Sequence, residues 1–208
     1  MMLMILLTAF SLSAQTSVGI TGGAVFNNVK IKEGGVSASP KDRTGITAGI
    51  FVSIPLSTNI SFQPALNFVQ KGYAVKDYIG TEKVNFNYIE LPLNFVYSTS
   101  VSHGLFIGAG PSLAFGFSGN DKFKHNGGIP DTNEKIHFGS GADEVKTFDF
   151  GANFIAGYKF KGGFLVSGNY NLGLSKINND DGSGQDGKIK NRYFGVKIGY
   201  VFNRNKHK

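Results

Sequence analysis

The stretch GSGQDGKI, residues 182–189, has the spacing Gly-x-x-x-x-Gly-Lys with which a glycine-rich loop cradles phosphate oxygens on its backbone N–H groups. That chemistry needs two further parts: a Ser or Thr hydroxyl after the lysine, and a helix whose N-terminus faces the phosphates. Ile189 stands where the hydroxyl belongs, and no helical pattern follows. A glycine-rich turn explains the residues better. GAGPSLAFG (108–116) contains Gly-x-Gly, but it runs on as a strand, so a dinucleotide site also lacks its helix. The four histidines, His103, His125, His137 and His207, show no metal-ligand spacing. The acids of NNDDGSGQDG (178–187) fit no calcium loop, and no Gly-x-Ser-x-Gly occurs. No catalytic, cofactor-binding or metal-ligating residue is assigned, and neither an enzyme nor a bound cofactor is expected.

One ionisable residue stands out by position. In NYIELPLNFVY (87–97), Glu90 and Pro92 interrupt a segment that otherwise reads as a strand. Such a strand needs one apolar face and one polar, proline-tolerant face. Past residue 16 the dominant period is two, the strand signature, in eight segments: 17–27, 44–54, 59–72, 83–98, 103–118, 146–160, 163–175 and 190–202. No segment has a sustained 3.6-residue apolar stripe with caps. The links 55–59, 98–103 and 160–163 are tight, whereas 28–43, 73–82, 119–145 and 176–189 are long and rich in Gly, Asn, Asp and Lys. Short and long links alternating around an even number of strands predict an all-β fold. It is an eight-stranded antiparallel up-and-down transmembrane β-barrel with short periplasmic turns and long extracellular loops.

Parity supports this and orients the faces. Phe194, Val196, Ile198, Tyr200 and Phe202 alternate with Tyr193, Gly195, Lys197, Gly199 and Val201. Phe148, Phe150, Phe154 and Tyr158 alternate with Thr147, Asp149, Asn153 and Lys159, and the segments from 103 and 163 behave alike. No apolar face carries a charge, as lipid contact requires, since a charge at the bilayer midplane costs about 2–4 kcal/mol. The polar face is mainly Gly, Ser, Asn, Thr and Ala, the small residues that fit inside eight strands. Ile89, Leu91, Leu93, Phe95 and Tyr97 therefore face lipid, and Glu90, Pro92 and Asn94 face the lumen. A buried lumenal carboxylate calls for a partner. Lys197 is the first candidate, with Lys159 and Lys71 nearer the rims, in a polar network of Glu90, Lys197, Asn94, Asn153 and Asp149. Missing ladder bonds or bulges are expected at Pro64, Pro92 and Pro111. Aromatic girdles are expected from Phe26, Tyr73, Phe86, Phe117 and Phe148 on the outer side. Their inner counterparts are Phe62, Tyr97, Phe160, Phe164 and Phe202.

At Tyr88, Glu90, Leu91 and Pro92 the sequence resembles the PorT-like outer-membrane β-barrel family of Bacteroidetes, whose members carry a Tyr-x-Glu-Leu-Pro strand. VGITGGAVFN (18–27), GLFIGAGPSLAFGF (104–117), DFGANFIAGYKF (149–160) and NYNLGLSKI (169–177) extend the likeness along the chain. The resemblance implies an outer-membrane barrel in a family whose members mostly lack a defined activity, some relatives being linked to protein secretion and gliding. One departure is the end: Phe202, the candidate terminal aromatic for assembly, is followed by NRNKHK.

Composition bounds the rest. The 208 residues suit one domain, and the absence of cysteine excludes disulfides and thiolate metal sites. The net charge of +7 is scattered: KIKEGG, KDR and DGKIKNR mix both signs, so no nucleic-acid face is expected. MMLMILLTAFSLSAQ reads as a signal peptide over 1–15, with an apolar run too short to span a membrane but no basic residue before it. The barrel then covers 16–203 and a basic tail 204–208. Expected partners are outer-membrane lipid or lipopolysaccharide, touched at the outer rim by Lys30, Lys71, Lys146, Lys190 and Arg192. The barrel-assembly machinery during insertion and an envelope protein complete the set. The leading functional expectation is a small non-enzymatic barrel with a filled lumen. A narrow pore or transport component and a soluble lipocalin-like carrier are the alternatives.

Overall fold

The computed structural model describes residues 16–27, 30–33, 36–38, 43–76, 78–100, 102–126, 130–141, 144–179 and 188–202. The expected signal peptide (1–15) and basic tail (204–208) lie outside the described residues. The strands are β1 (Ser17–Asn27), β2 (Lys30–Glu33), β3 (Val36–Ala38), β4 (Arg43–Pro55), β5 (Ile60–Lys76), β6 (Gly80–Ser98), β7 (Gly104–His125), β8 (Thr132–Ile136), β9 (Phe148–Lys159), β10 (Phe164–Gly173), β11 (Lys188–Lys190) and β12 (Arg192–Phe202).

Eight of them form a closed antiparallel ring in the order β1-β4-β5-β6-β7-β9-β10-β12, with β12 pairing back onto β1. Sequence neighbours are barrel neighbours throughout, so the topology is up-and-down. Closure leaves no sheet edge in the membrane, which is what lets strands cross lipid. Two additions sit outside the ring: β8 pairs with the outer end of β7, and β11-β2-β3 form a small separate sheet. The turns at one end are tight. Leu56 N–H donates to the Ile60 carbonyl at 2.8 Å, and Phe160 N–H to that of Phe164 at 2.7 Å. The second turn needs its glycines, since Gly162 and Gly163 sit at φ 96° and 95°.

The faces divide as parity requires. Val18, Ile50, Leu91, Ile107, Phe154, Phe164, Val196 and Ile198 are exposed on the outer wall, Ile198 to 68 %. Asn67, Asn94, Ser112, Asn153, Asn169 and Asn171 are buried inside. A lipocalin-like carrier needs the opposite arrangement, so that alternative is removed. Tyr73 and Phe86 correct the girdle expectation: they share the lumenal parity of Lys71 and Tyr88, and Phe86 is buried.

Strand ends are the second difference. A tilted strand crosses a bilayer in about 9–11 residues; β6 has 19 and β7 has 22. Residues 73–76, 80–82 and 119–125, expected in long loops, continue the ladders instead. The result is a wall of β5, β6, β7 and β8 that rises past the shorter β9, β10 and β12. Pairing is interrupted on one side of each proline, Pro64 toward β4, Pro92 toward β5 and Pro111 toward β6, with the register kept. The absent N–H breaks a pair without inserting a residue. A register shift does occur at Asn87/Tyr88, where Phe117 is the extra residue.

Val196, mid-strand and 43 % exposed on the outer face, tests the lipid-facing assignment. Val196→Lys should cost about 2–4 kcal/mol of stability, read by urea unfolding in micelles.

Candidate functional site

The lumen holds three layers, each built by the inward parity of particular strands. In the middle, Lys71 extends from β5 between two carboxylates. Its Nζ lies 3.2 Å from Glu90 Oε2 on β6 and 3.2 Å from Asp149 Oδ2 on β9, and Lys71 and Glu90 are 2 % and 1 % exposed. The Asp149 contact is a hydrogen bond. The Glu90 contact is ionic without hydrogen-bond alignment. Glu90 is held at its other oxygen by the Tyr193 hydroxyl, which donates at 2.5 Å. Asp149 accepts from Asn191 Nδ2 at 2.9 Å and from Ser175 Oγ at 3.0 Å. The ammonium also lies over the Tyr88 ring, 4.7 Å from its centre. One cation therefore ties together β5, β6 and β9, with Tyr193 and Asn191 bringing in the β12 side.

This corrects two expectations. Glu90 is paired by Lys71, not Lys197, because strand tilt and stagger separate residues that strand counting puts at equal depth. Lys71 is likewise not a rim residue: β5 continues to Lys76, so Lys71 lies five residues inside the strand end and faces the lumen.

Above this cluster, toward the long connections, the lumen turns apolar. Val84, Phe86, Tyr88 and Ala114 pack with Ile177, and Phe138, Val145 and Ile189 close over them. The Phe138 ring meets Tyr88 and Phe86 at centroid distances of 5.7 and 6.2 Å, both edge-on. Gly116 makes its seat, because a Cβ there would collide with the Phe138 ring. Below the cluster the lining mixes amides and hydroxyls with an apolar patch of Phe51, Leu165 and Val201. Asn153 Nδ2 donates to Asn94 Oδ1 at 3.1 Å, and Asn169 Nδ2 to Asn153 Oδ1 at 3.3 Å. Lys197 is here, 8 % exposed, beside a cavity of about 110 Å³.

Of the expected network, then, Glu90 and Asp149 meet at Lys71, Asn94 and Asn153 bond each other, and Lys197 stands apart in the lower layer. Tyr193, Asn169 and Asn171 were visible as inward parity. Ser175 and Asn191 stand just outside β10 and β12 but keep the inward parity of the expected segments 163–175 and 190–202, whereas Phe138 comes from a connection, where no period marks it. Among the rim candidates, the Lys190 ammonium donates to the Leu174 carbonyl at 2.6 Å, while Arg192 is half-buried with its Nε unpartnered. Lys146 is half-buried, and the Lys30 side chain lies outside the described residues. His103, His125 and His137 assemble no metal-binding cluster among the described residues, and His207 lies outside them.

A closed ring with an apolar outside and a polar inside is the geometry of a membrane barrel, and the chain matches the profile of the outer membrane protein beta-barrel domain over residues 13–179. It belongs to that family. Its place is the cell outer membrane, with the short turns on the periplasmic side. No curated protein matches the chain. Among solved structures it is similar to Ail, the attachment invasion locus protein of Yersinia pestis, at 15 % identity and a TM-score of 0.45 over 90 % of this chain and 99 % of that one. OprG from Pseudomonas aeruginosa gives 12 % identity and 0.45 over 91 % and 97 %. The outer membrane protease OmpT from Escherichia coli gives 10 % and 0.35 over 92 % and 97 %. Likeness at this level bears on neither activity nor partner.

Removing one member of the buried cluster should expose its cost. Lys71→Met leaves two carboxylates without their cation and should lose about 3–5 kcal/mol in micelle unfolding. Adding Glu90→Gln and Asp149→Asn should recover most of that loss.

Proposed function

We propose that the protein is a non-enzymatic outer-membrane barrel with a filled lumen, acting through the structure it raises outside the cell. The observation that carries this reading is the stack across the lumen. Phe138 and Ile177 lie over Phe86 and Tyr88, above Lys71 held between Glu90 and Asp149. Side chains packed this way leave a solute no continuous path. What remains available is the one-sided outer wall. It carries exposed Lys83, Lys122, Lys124, Glu134 and Lys135, and β8 ends the sheet, so its far edge offers backbone groups to an added strand. An envelope protein is the partner this edge suits. The narrower reading, a secretion-related accessory as in some PorT-like relatives, rests on the family resemblance at Tyr88, Glu90, Leu91 and Pro92 and on no residue assigned to that role. The assembly machinery that inserts outer-membrane barrels is the transient partner, with Phe202 on the last strand as the residue for it to hold.

Planar-bilayer recording tests the filled lumen. Purified protein should insert without conductance steps; regular steps would make it a narrow pore instead.

At the outer rim, Lys146, Lys190 and Arg192 supply charge-assisted contacts to lipid A phosphates. Replacing all three by Ala should lower the lipopolysaccharide that co-purifies with the barrel, and undiminished retention removes those contacts from the proposal.

A further inference from the structure

The lower layer of the lumen is a cup. Its cavity of about 110 Å³ is lined by Asn67, Asn94, Asn153, Asn169, Ser167 and Lys197, among others, and no carboxylate is in the lining. A second recess of about 90 Å³ continues it toward the short turns and shares Ser17, Ser53, Ser98, Ser100 and Lys159 with it. The cup thus opens to the periplasm through a ring of hydroxyls and a lysine. At the other end the Lys71 cluster and the aromatic layer close it.

Lys197 sets the chemistry. It is more than nine-tenths buried, lines the cavity, and makes no hydrogen bond or ion pair among the described residues. Glu90 is the carboxylate whose field reaches it, but the oxygens of Glu90 are engaged by Lys71 and Tyr193. Across β10 its register partner is Ser167, neutral and small. Asn169, in the same lining, has a buried Oδ1 with no partner, an acceptor that suits the P–OH of a protonated phosphate rather than a bare oxyanion. The remaining wall is apolar, with Phe51, Phe106, Ile155, Leu165 and Val201. A buried ammonium facing this cavity, with amides and hydroxyls on its polar side, is a site for a small anion. The volume accommodates several waters or one small oxyanion.

We propose that this cup binds a small oxyanion of the phosphate class from the periplasmic side, with Lys197 as its charged donor and the Asn and Ser side chains as the neutral ones. This goes beyond the outward-facing role and is independent of it, because binding is read in micelles and conductance in bilayers.

The test is calorimetric titration of inorganic phosphate into the full chain folded in maltoside micelles, in phosphate-free buffer. Saturable binding is expected. Lys197→Met should weaken it by about tenfold or more, while Lys197→Arg and Lys76→Met, at the exposed far end of β5, retain it. Folding of each variant is checked by heat-dependent gel mobility. Should Lys197→Met fail to fold, Ser167→Glu serves instead: it places a carboxylate opposite Lys197, supplies the missing partner, and should abolish phosphate binding. Repeating the titration in micelles doped with phosphatidylglycerol separates the sources. Binding unchanged there means free phosphate, and binding suppressed there means that a lipid headgroup takes the site. No saturable binding to the folded chain, or binding that survives both Lys197→Met and Ser167→Glu, overturns the proposal and leaves a water-filled cavity.

Discussion

The structure turns on where one ammonium can go. A barrel of eight strands has an interior only wide enough for side chains, and three of those side chains, Lys71, Glu90 and Asp149, bear full charges out of contact with bulk water. None is tolerable alone, since an unpaired buried charge costs several kcal/mol. Together they are held by each other, by the Tyr193 hydroxyl and by Asn191 and Ser175. The groups come from walls that share no backbone hydrogen bonds, β5 and β6 on one side and β9 and β12 across the lumen. The cluster therefore fixes how the ring closes, whereas the ladders fix only adjacent pairs. Replacing it with apolar side chains could be as stable, so its presence speaks to specificity of packing more than to strength.

The outer surface obeys a different solvent. Lipid drives no apolar side chain inward, so the large residues that a soluble domain would bury, Phe154, Phe164, Val196 and Ile198, stand exposed, and the amides are inside. In a soluble protein that inversion would leave the polar groups without a driving force for burial. Here closure of the sheet removes the sheet edges, and the interior amides satisfy one another in short chains such as Asn169–Asn153–Asn94.

How much was legible follows from what a period of two can carry. Alternation assigns a face at every position once the strand is found, and so Glu90, Asn94, Asp149, Asn153, Tyr193 and Lys197 were all placed inward from sequence. It carries no information on depth. Depth depends on strand tilt and on where each strand leaves the membrane, and β5, β6 and β7 do not stop at the membrane edge. Strand counting alone therefore points Glu90 to Lys197 and Lys71 to a rim, and the continued ladders overrule both. Tyr73 and Phe86 resemble girdle residues in sequence for the same reason. Phe138 lies beyond any pattern, because a connection that folds back into a lumen has no repeat to announce it. The prolines were readable as interruptions of pairing. The bulge at Asn87/Tyr88 was not, since Phe117 continues the alternation without a break in type.

The order of the three layers has a consequence for direction. An apolar layer under the outer connections excludes water, and placing it next to the ion cluster strengthens every contact in that cluster by lowering the local dielectric. Had the layers been reversed, with the amide cup outermost, the charges would be solvated through the mouth and would no longer need one another. As built, the Phe138 layer packs under the outer connections, the Lys71 cluster lies at the middle, and the cavity beside Lys197 lies toward the short turns. Passage through the barrel would require the Phe138 layer and the Lys71 cluster to open together.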